Sequence, residues 1–147
     1  MDRRTVLTGI GAIAAAAVSS AHAADKMDHE HHHHHGPAKY QALLDATSAC
    51  VNAGELCLAH CIMLLGEGDK SMATCARNVN QMLAMCRATQ SLAAQDAEVL
   101  KAVAKVCAEA CSSCEKACKE HADKHQECKN CMESCAACAK ECKKVAA

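Results

Sequence analysis

The sequence predicts an all-α protein, an antiparallel four-helix bundle with a cysteine-lined core. Three observations carry that expectation. Long segments nearly free of helix breakers are separated by short turn signals, and cysteines recur within them at alternating steps of three and four residues. β-branched and aromatic residues, the usual strand formers, are scarce. Alternating steps of three and four keep one face of a helix turned toward its partners, so the thiols point inward. The 147 residues include 14 cysteines, one tyrosine and no phenylalanine or tryptophan, so the core is not filled by aromatic bulk.

Residues 1–23 read as a leader. Arg3 and Arg4 precede an apolar run from Val6 to Val18, and Ala21-His22-Ala23 supplies a small-x-small ending. This pattern is that of a twin-arginine export signal cut after Ala23. A Sec signal is the competing reading. A membrane anchor is opposed by the shortness of the run against the roughly 20 residues of a bilayer span. Export by this route implies folding in the cytosol, work in the periplasm or otherwise outside the cytosol, and no membrane insertion after cleavage. Residues 24–37, with His29 and His31 to His35 ahead of Gly36-Pro37, are polar and aperiodic. They are expected to form a flexible arm. A purification tag and a soft metal-capturing arm both account for the histidines, which stand outside the main site.

Residues 38–147 form the expected bundle domain. The first helix, about 38–65, carries Thr47, Cys50, Gly54, Cys57 and Cys61 on its inward stripe. Gly66 to Asp69 stops it, with Asp69 an N-cap for the next. The second, about 70–90, carries Met72, Cys75, Val79, Met82 and Cys86. The third, about 94–120, carries Leu100, Val103 or Ala104, Cys107, Cys111, Cys114 and Cys118. Its join with the second is weakly marked, with Ser91 or Asp96 as possible caps. Asp123, three residues before Gln126, suggests a capping pair for the fourth helix, which carries Cys128, Cys131, Cys135, Cys138 and Cys142. Short turns between four helices imply antiparallel neighbours.

Three readings compete for the thiols. An even cysteine count in an exported protein ordinarily means disulfides. Within a helix geometry opposes them, because neighbours one turn apart have Cβ atoms about 5–6 Å apart whereas a disulfide wants about 3.8 Å. Disulfides between helices remain open. A reduced structural core is the second reading, but outside the cytosol unoccupied thiols are open to oxidation. Metal is the third. Ligating cysteines are thiolates, so charge neutrality requires cations throughout the core. One monovalent ion per thiolate cancels the charge, whereas zinc in four-thiolate sites supplies at most about eight positive charges. Cu(I) satisfies both the charge and the preference of thiolates for soft metals. A near-linear S–Cu–S bridge spanning roughly 4.5 Å is within reach of side chains one turn apart, making an interleaved ladder along each helix. Iron–sulfur clusters need a compact four-ligand nest, and ferredoxin-type loops are absent.

The net charge of −1 gives no support to nucleic-acid or anionic-membrane binding. An enzyme is not expected, since no carboxylate joins the stripe and Glu115, Glu133 and Glu141 lie off it. The strings CAEACSSCEKAC and CKNCMESCAACAKEC, with the twin-arginine-like leader and four-helix pattern, resemble the exported bacterial copper storage proteins. That resemblance implies a four-helix bundle assembled as a homotetramer and a store of multiple Cu(I) ions, roughly one per cysteine. It places the store at the fourteen stripe thiols given above and makes a copper-accepting enzyme or chelator a natural partner. The histidine run at 31–35 is outside the family pattern. A disulfide-stapled helical structural or interaction module is the alternative. Antiparallel order also gathers His60, Met63, Met72, His121 and His125 at one end of the bundle. They are candidates for an entrance where imidazole or thioether passes Cu(I) inward; the competing reading makes them helix-end and capping residues.

Overall fold

The computed structural model describes residues 38–147, so the leader (1–23) and the histidine-rich arm (24–37) lie outside the described residues. Four α-helices follow one another: α1 Gln41–Gly66, α2 Ala73–Ala94, α3 Leu100–Lys119 and α4 Gln126–Ala146. A single 3-10 turn, Lys70–Met72, leads into α2, and no strand occurs among the described residues. Each helix packs on its neighbours in chain order, and α1 closes the square against α4. The antiparallel order is visible at both ends. Lys39, just before α1, reaches Asp96 in the α2–α3 turn at 2.8 Å, and His60 near the end of α1 meets His125 at the start of α4.

Turn chemistry sets the helix lengths. After α1, Gly68 adopts φ 97°, a conformation that costs an L side chain but not glycine. Its N–H donates to Leu65 O and that of Asp69 to Leu64 O, which satisfies the last carbonyls of the helix. Asp69 then caps the 3-10 turn by accepting from the Ser71 N–H at 3.0 Å. The α2–α3 join differs from the sequence expectation. α2 continues to Ala94 rather than ending near Gln90, and α3 starts at Leu100 rather than near Ala94. The stretch after Gln90 contains no breaker, so the helix runs on until Asp96 enters the left-handed region at φ 47°. There it repeats the first turn's bonding, Asp96 N–H to Ala93 O and Ala97 N–H to Leu92 O. Aspartate tolerates that conformation better than most residues, and Lys39 holds its carboxylate.

The expected Asp123–Gln126 capping pair does not form. His125 is the N-cap, without a side-chain cap bond, and the Gln126 side chain donates to Asn130 Oδ1 instead. Residues 121–125 keep turn-type bonds of their own, including the His125 N–H to His121 O, and this places Asp123 inside a turn rather than at the helix boundary.

All stripe positions of α1 and α2 are buried, and on α3 Ala104 rather than Val103 is the inward residue. α4 buries five cysteines and Ala139 and nothing else, so its attachment to the bundle is made almost wholly of sulfur. The end where α1 begins is closed differently, by Leu43, Thr47, Thr89, Ala93 and Leu100. The two threonine hydroxyls there donate to carbonyls one turn back, Leu43 O and Met85 O, each at 2.8 Å, so they bury no unpaired polar atom. α1 is apolar enough to cross a membrane by length and composition, with mean hydropathy 1.5. Here it serves as a bundle helix, and its outer face leaves Leu56, Ile62 and Met63 more than half exposed.

Gly54 permits the close approach of α1 to α2. A Cβ on it would fall 2.7 Å from Met82 Cε and 2.9 Å from Leu83 Cδ2. Alanine asks two flexible side-chain ends to move, but a branched residue overfills the site. Gly54→Val is therefore expected to lower the stability of the reduced, metal-free protein by about 1–3 kcal/mol, read as a lower urea midpoint with an unchanged slope.

Candidate metal centre

The fourteen cysteines are all free and all buried. Each helix contributes from its inward stripe, and the sulfurs converge along the bundle axis. One group takes a single thiol from every helix, Cys50, Cys86, Cys111 and Cys138, with the four sulfurs within 4.8 Å of one another. Cys86 lies 3.6 Å from Cys111 and 3.7 Å from Cys138. A second group, Cys57, Cys61, Cys75 and Cys128, sits toward the end of α1 and the start of α4. Three groups of three fill the remainder: Cys57, Cys118 and Cys131; Cys107, Cys138 and Cys142; Cys114, Cys131 and Cys135. Every cysteine of the chain belongs to at least one group. Cys57, Cys131 and Cys138 belong to two, which joins the groups into two linked sets, and the Cys50–Cys135 contact at 3.8 Å connects one set with the other.

The ladder expected along single helices is only a minor part of this network. Two pairs one turn apart are in contact, Cys114 with Cys118 at 3.9 Å and Cys138 with Cys142 at 4.0 Å. Contacts between helices are as short or shorter, such as Cys75 to Cys118 at 3.5 Å and Cys50 to Cys135 at 3.8 Å. Four stripes facing one axis bring thiols from different helices as near as helical neighbours. The spacing along one helix cannot show this.

Hydrogen bonding inside the network divides the thiols. The Cys50 thiol is lowered to about 6, chiefly by its interaction with Cys111, and Cys118 to about 6, chiefly by Cys114. Cys107 is lowered to about 4, again with Cys111 as the largest cause. Cys57, Cys86 and Cys135 are pushed up by neighbouring thiols, led by Cys118, Cys107 and Cys111 respectively, with burial acting in the same direction. Once some members ionise, their neighbours hold protons more tightly, so the set cannot become all-thiolate without incoming positive charge.

The donor set distinguishes among metals. The two four-thiol groups would use eight cysteines in zinc-like sites, leaving Cys107, Cys114, Cys118, Cys131, Cys135 and Cys142 outside any four-thiol group. Each of the five groups consists of cysteine alone, with no carboxylate or imidazole. An all-sulfur, multiply shared donor set suits a soft monovalent ion.

The five entrance candidates fall in different environments. His60 Nε2 and His125 Nδ1 are 2.9 Å apart, with ring centroids separated by 4.8 Å. His121 lies with its ring centroid 6.4 Å from that of His125, and its Nε2 is buried without a hydrogen-bond partner. Met72 is fully buried, whereas Met63 is 52 % exposed. Met63 lines an open groove of about 480 Å³ together with Leu56, Ala59, His60, Gln126, Glu127 and Asn130. The three histidines are thus gathered as expected, Met72 belongs to the core, and Met63 stays outside it. Sequence reasoning missed Glu127, whose carboxylate lies 3.8 Å from His60 Nε2; its place one residue before Cys128 on α4 was the available signal. It also placed Met82 on the inward stripe without giving it a role, although its sulfur touches two thiols.

Comparison with known proteins agrees with this geometry. The family model described as copper storage protein matches residues 36–147. Among solved structures, apo copper storage protein 3 from Bacillus subtilis is 25% identical with a TM-score of 0.64, the match covering 73% of this chain and 98% of that one. The Cu(I)-bound copper storage protein BsCsp3 is 24% identical with a TM-score of 0.66, covering 74% of this chain and 100% of that one. The copper storage protein Ccsp from Streptomyces lividans, loaded with 10 copper equivalents, is 24% identical with a TM-score of 0.66, covering 76% of this chain and 88% of that one. No curated protein matches the chain. With a family model spanning the whole described bundle and its thiols converging on the bundle axis, the chain belongs to the copper storage protein family.

Proposed function

We propose that this chain stores Cu(I) on its fourteen bundle thiols at roughly one ion per thiolate, holding it in reserve for an exported copper enzyme or chelator. The observation that carries the reading is the sharing of Cys57, Cys131 and Cys138 between thiol groups, with the Cys50–Cys135 contact joining the two sets that result. A thiolate shared between two groups can bridge two monovalent ions, so charge and coordination are satisfied together along the axis. The same arrangement supports storage over catalysis, because each group is built of thiol ligands alone. His60, His121 and His125 form the entrance in this proposal, with the unpartnered His121 Nε2 as the receiving atom and Met72 as the step inward. Met63 lies on the groove outside His60, where copper would arrive.

Arg3 and Arg4, with the Ala21-His22-Ala23 ending, support twin-arginine export to the periplasm. Leu56, Ile62 and Met63 on α1, and Val99 and Val106 at and on α3, are apolar and exposed, which supports assembly of copies into a homo-oligomer.

Anaerobic titration of the reduced protein should take up on the order of 12 to 16 equivalents of Cu(I) before a competing chelator prevails, because neutrality asks for about one ion per thiolate. Saturation near four equivalents would refute storage and favour zinc-like sites. Replacing His121 and His125 together by alanine should leave that capacity nearly unchanged. Transfer to and from a Cu(I) chelator, followed by stopped flow, should nonetheless change several-fold. Unaltered rates would return both residues to helix-end surface roles, and a large loss of capacity would place the imidazoles in the store.

A further inference from the structure

The α2 stripe is poor in thiols. Between Cys75 and Cys86 it carries Val79 and Met82, and Met82 is fully buried. Its sulfur is not directed into hydrocarbon. The Cys50 thiol donates to Met82 Sδ at 3.3 Å and the Cys86 thiol donates to the same atom at 3.5 Å. Cys50 and Cys86 are two corners of the group that takes one thiol from each helix, and their sulfurs lie within 4.8 Å of each other. Met82 Sδ therefore caps one edge of that group.

The neighbouring helix α1 sets the orientation. Gly54 leaves a notch in α1 where a Cβ would stand 2.7 Å from Met82 Cε. With the terminal methyl seated against α1, the thioether sulfur is turned toward the axis. Leucine at this position would fill similar volume but present no donor atom.

We propose that Met82 is a ligand of the store, its thioether completing a three-sulfur site with the thiolates of Cys50 and Cys86. The inference rests on the Cu(I) reading above. With the Cys50 and Cys86 sulfurs at most 4.8 Å apart, an ion midway between them sits about 2.4 Å or more from Met82 Sδ, near the metal–sulfur bond length of about 2.3 Å. A thioether is a soft donor that carries no charge. At this stripe position a fifteenth cysteine would add another negative charge to the core, whereas methionine adds a donor and leaves the balance between ions and thiolates unchanged. It also makes the site unattractive to zinc, which draws on thiolate, imidazole and carboxylate ligands.

The full-length chain, reduced and labelled with [13C-methyl]methionine, tests this directly, because Cu(I) is diamagnetic and each methyl reports its own sulfur. The Met82 signal is identified by its loss in Met82→Leu, and Cu(I) is added without oxygen. At full loading the Met82 methyl carbon should shift further than those of Met85 and Met132, which are half-buried against the core. Met82→Leu should keep its capacity to within one ion but release one ion to a chelator several-fold faster. Full uptake with a Met82 methyl that moves no more than those two, or a folded leucine variant releasing every ion at wild-type rates, overturns the ligand assignment and leaves storage standing. Saturation near four equivalents overturns storage and this inference together. If the leucine variant does not fold, the wild-type methyl shift alone decides, with Met82 assigned through Met82→Gln.

Discussion

A thiolate in a dry core is tolerable only with a cation against it, since burying an isolated charge costs far more than a small domain's whole stability. The rest of this bundle is arranged around that constraint. Each helix gives its inward stripe largely to sulfur, and the stripes meet on the axis so that one cation has several sulfurs within reach. Carboxylates stay out of the thiol groups and pair with cations off the stripe, as where the half-buried Glu141 meets Lys144 and the exposed Glu55 meets Arg87. Apolar side chains that would normally hold four helices together are displaced to one end of the bundle and to the α1–α2 seam, where Leu83 and Met82 close on Gly54.

The fold was legible because the helical period and the chemistry coincide. Positions such as Cys128, Cys131, Cys135, Cys138 and Cys142 announce both a buried face and its ligand type, and every one of them is buried. What lay beyond the pattern has physical reasons. Asp96 ends α2 through a left-handed backbone conformation that glycine usually supplies, so the helix looked shorter than it is. Asp123 sat at the right spacing for a cap but falls within a turn that bonds to itself. The periodic pattern also describes one helix at a time and is silent about depth. It showed that Cys75 and Cys118 both face inward, but not that they meet at 3.5 Å across the bundle.

The candidate site was therefore legible as a set of residues and illegible as a set of groups. Which thiols are shared depends on the relative heights of the stripes, and those are fixed by turn lengths and by local fits such as Gly54 against Met82. The histidine end shows the same division. Chain order alone brings His60, His121 and His125 to one end, but the 2.9 Å contact between His60 and His125 and the unpartnered nitrogen of His121 depend on how the helix ends pack.

The apolar closure at the Leu43 and Leu100 end gives the axial array a dead end. On the entrance proposed here, ions reach the deepest groups by way of the sulfurs nearer the histidines. On that proposal the rapidly available fraction is set by the few sulfurs nearest the opening, such as Cys61, Cys75 and Cys128, while the total inventory is set by all fourteen. One short bundle can in this way behave as a working supply and a long-term reserve connected in series.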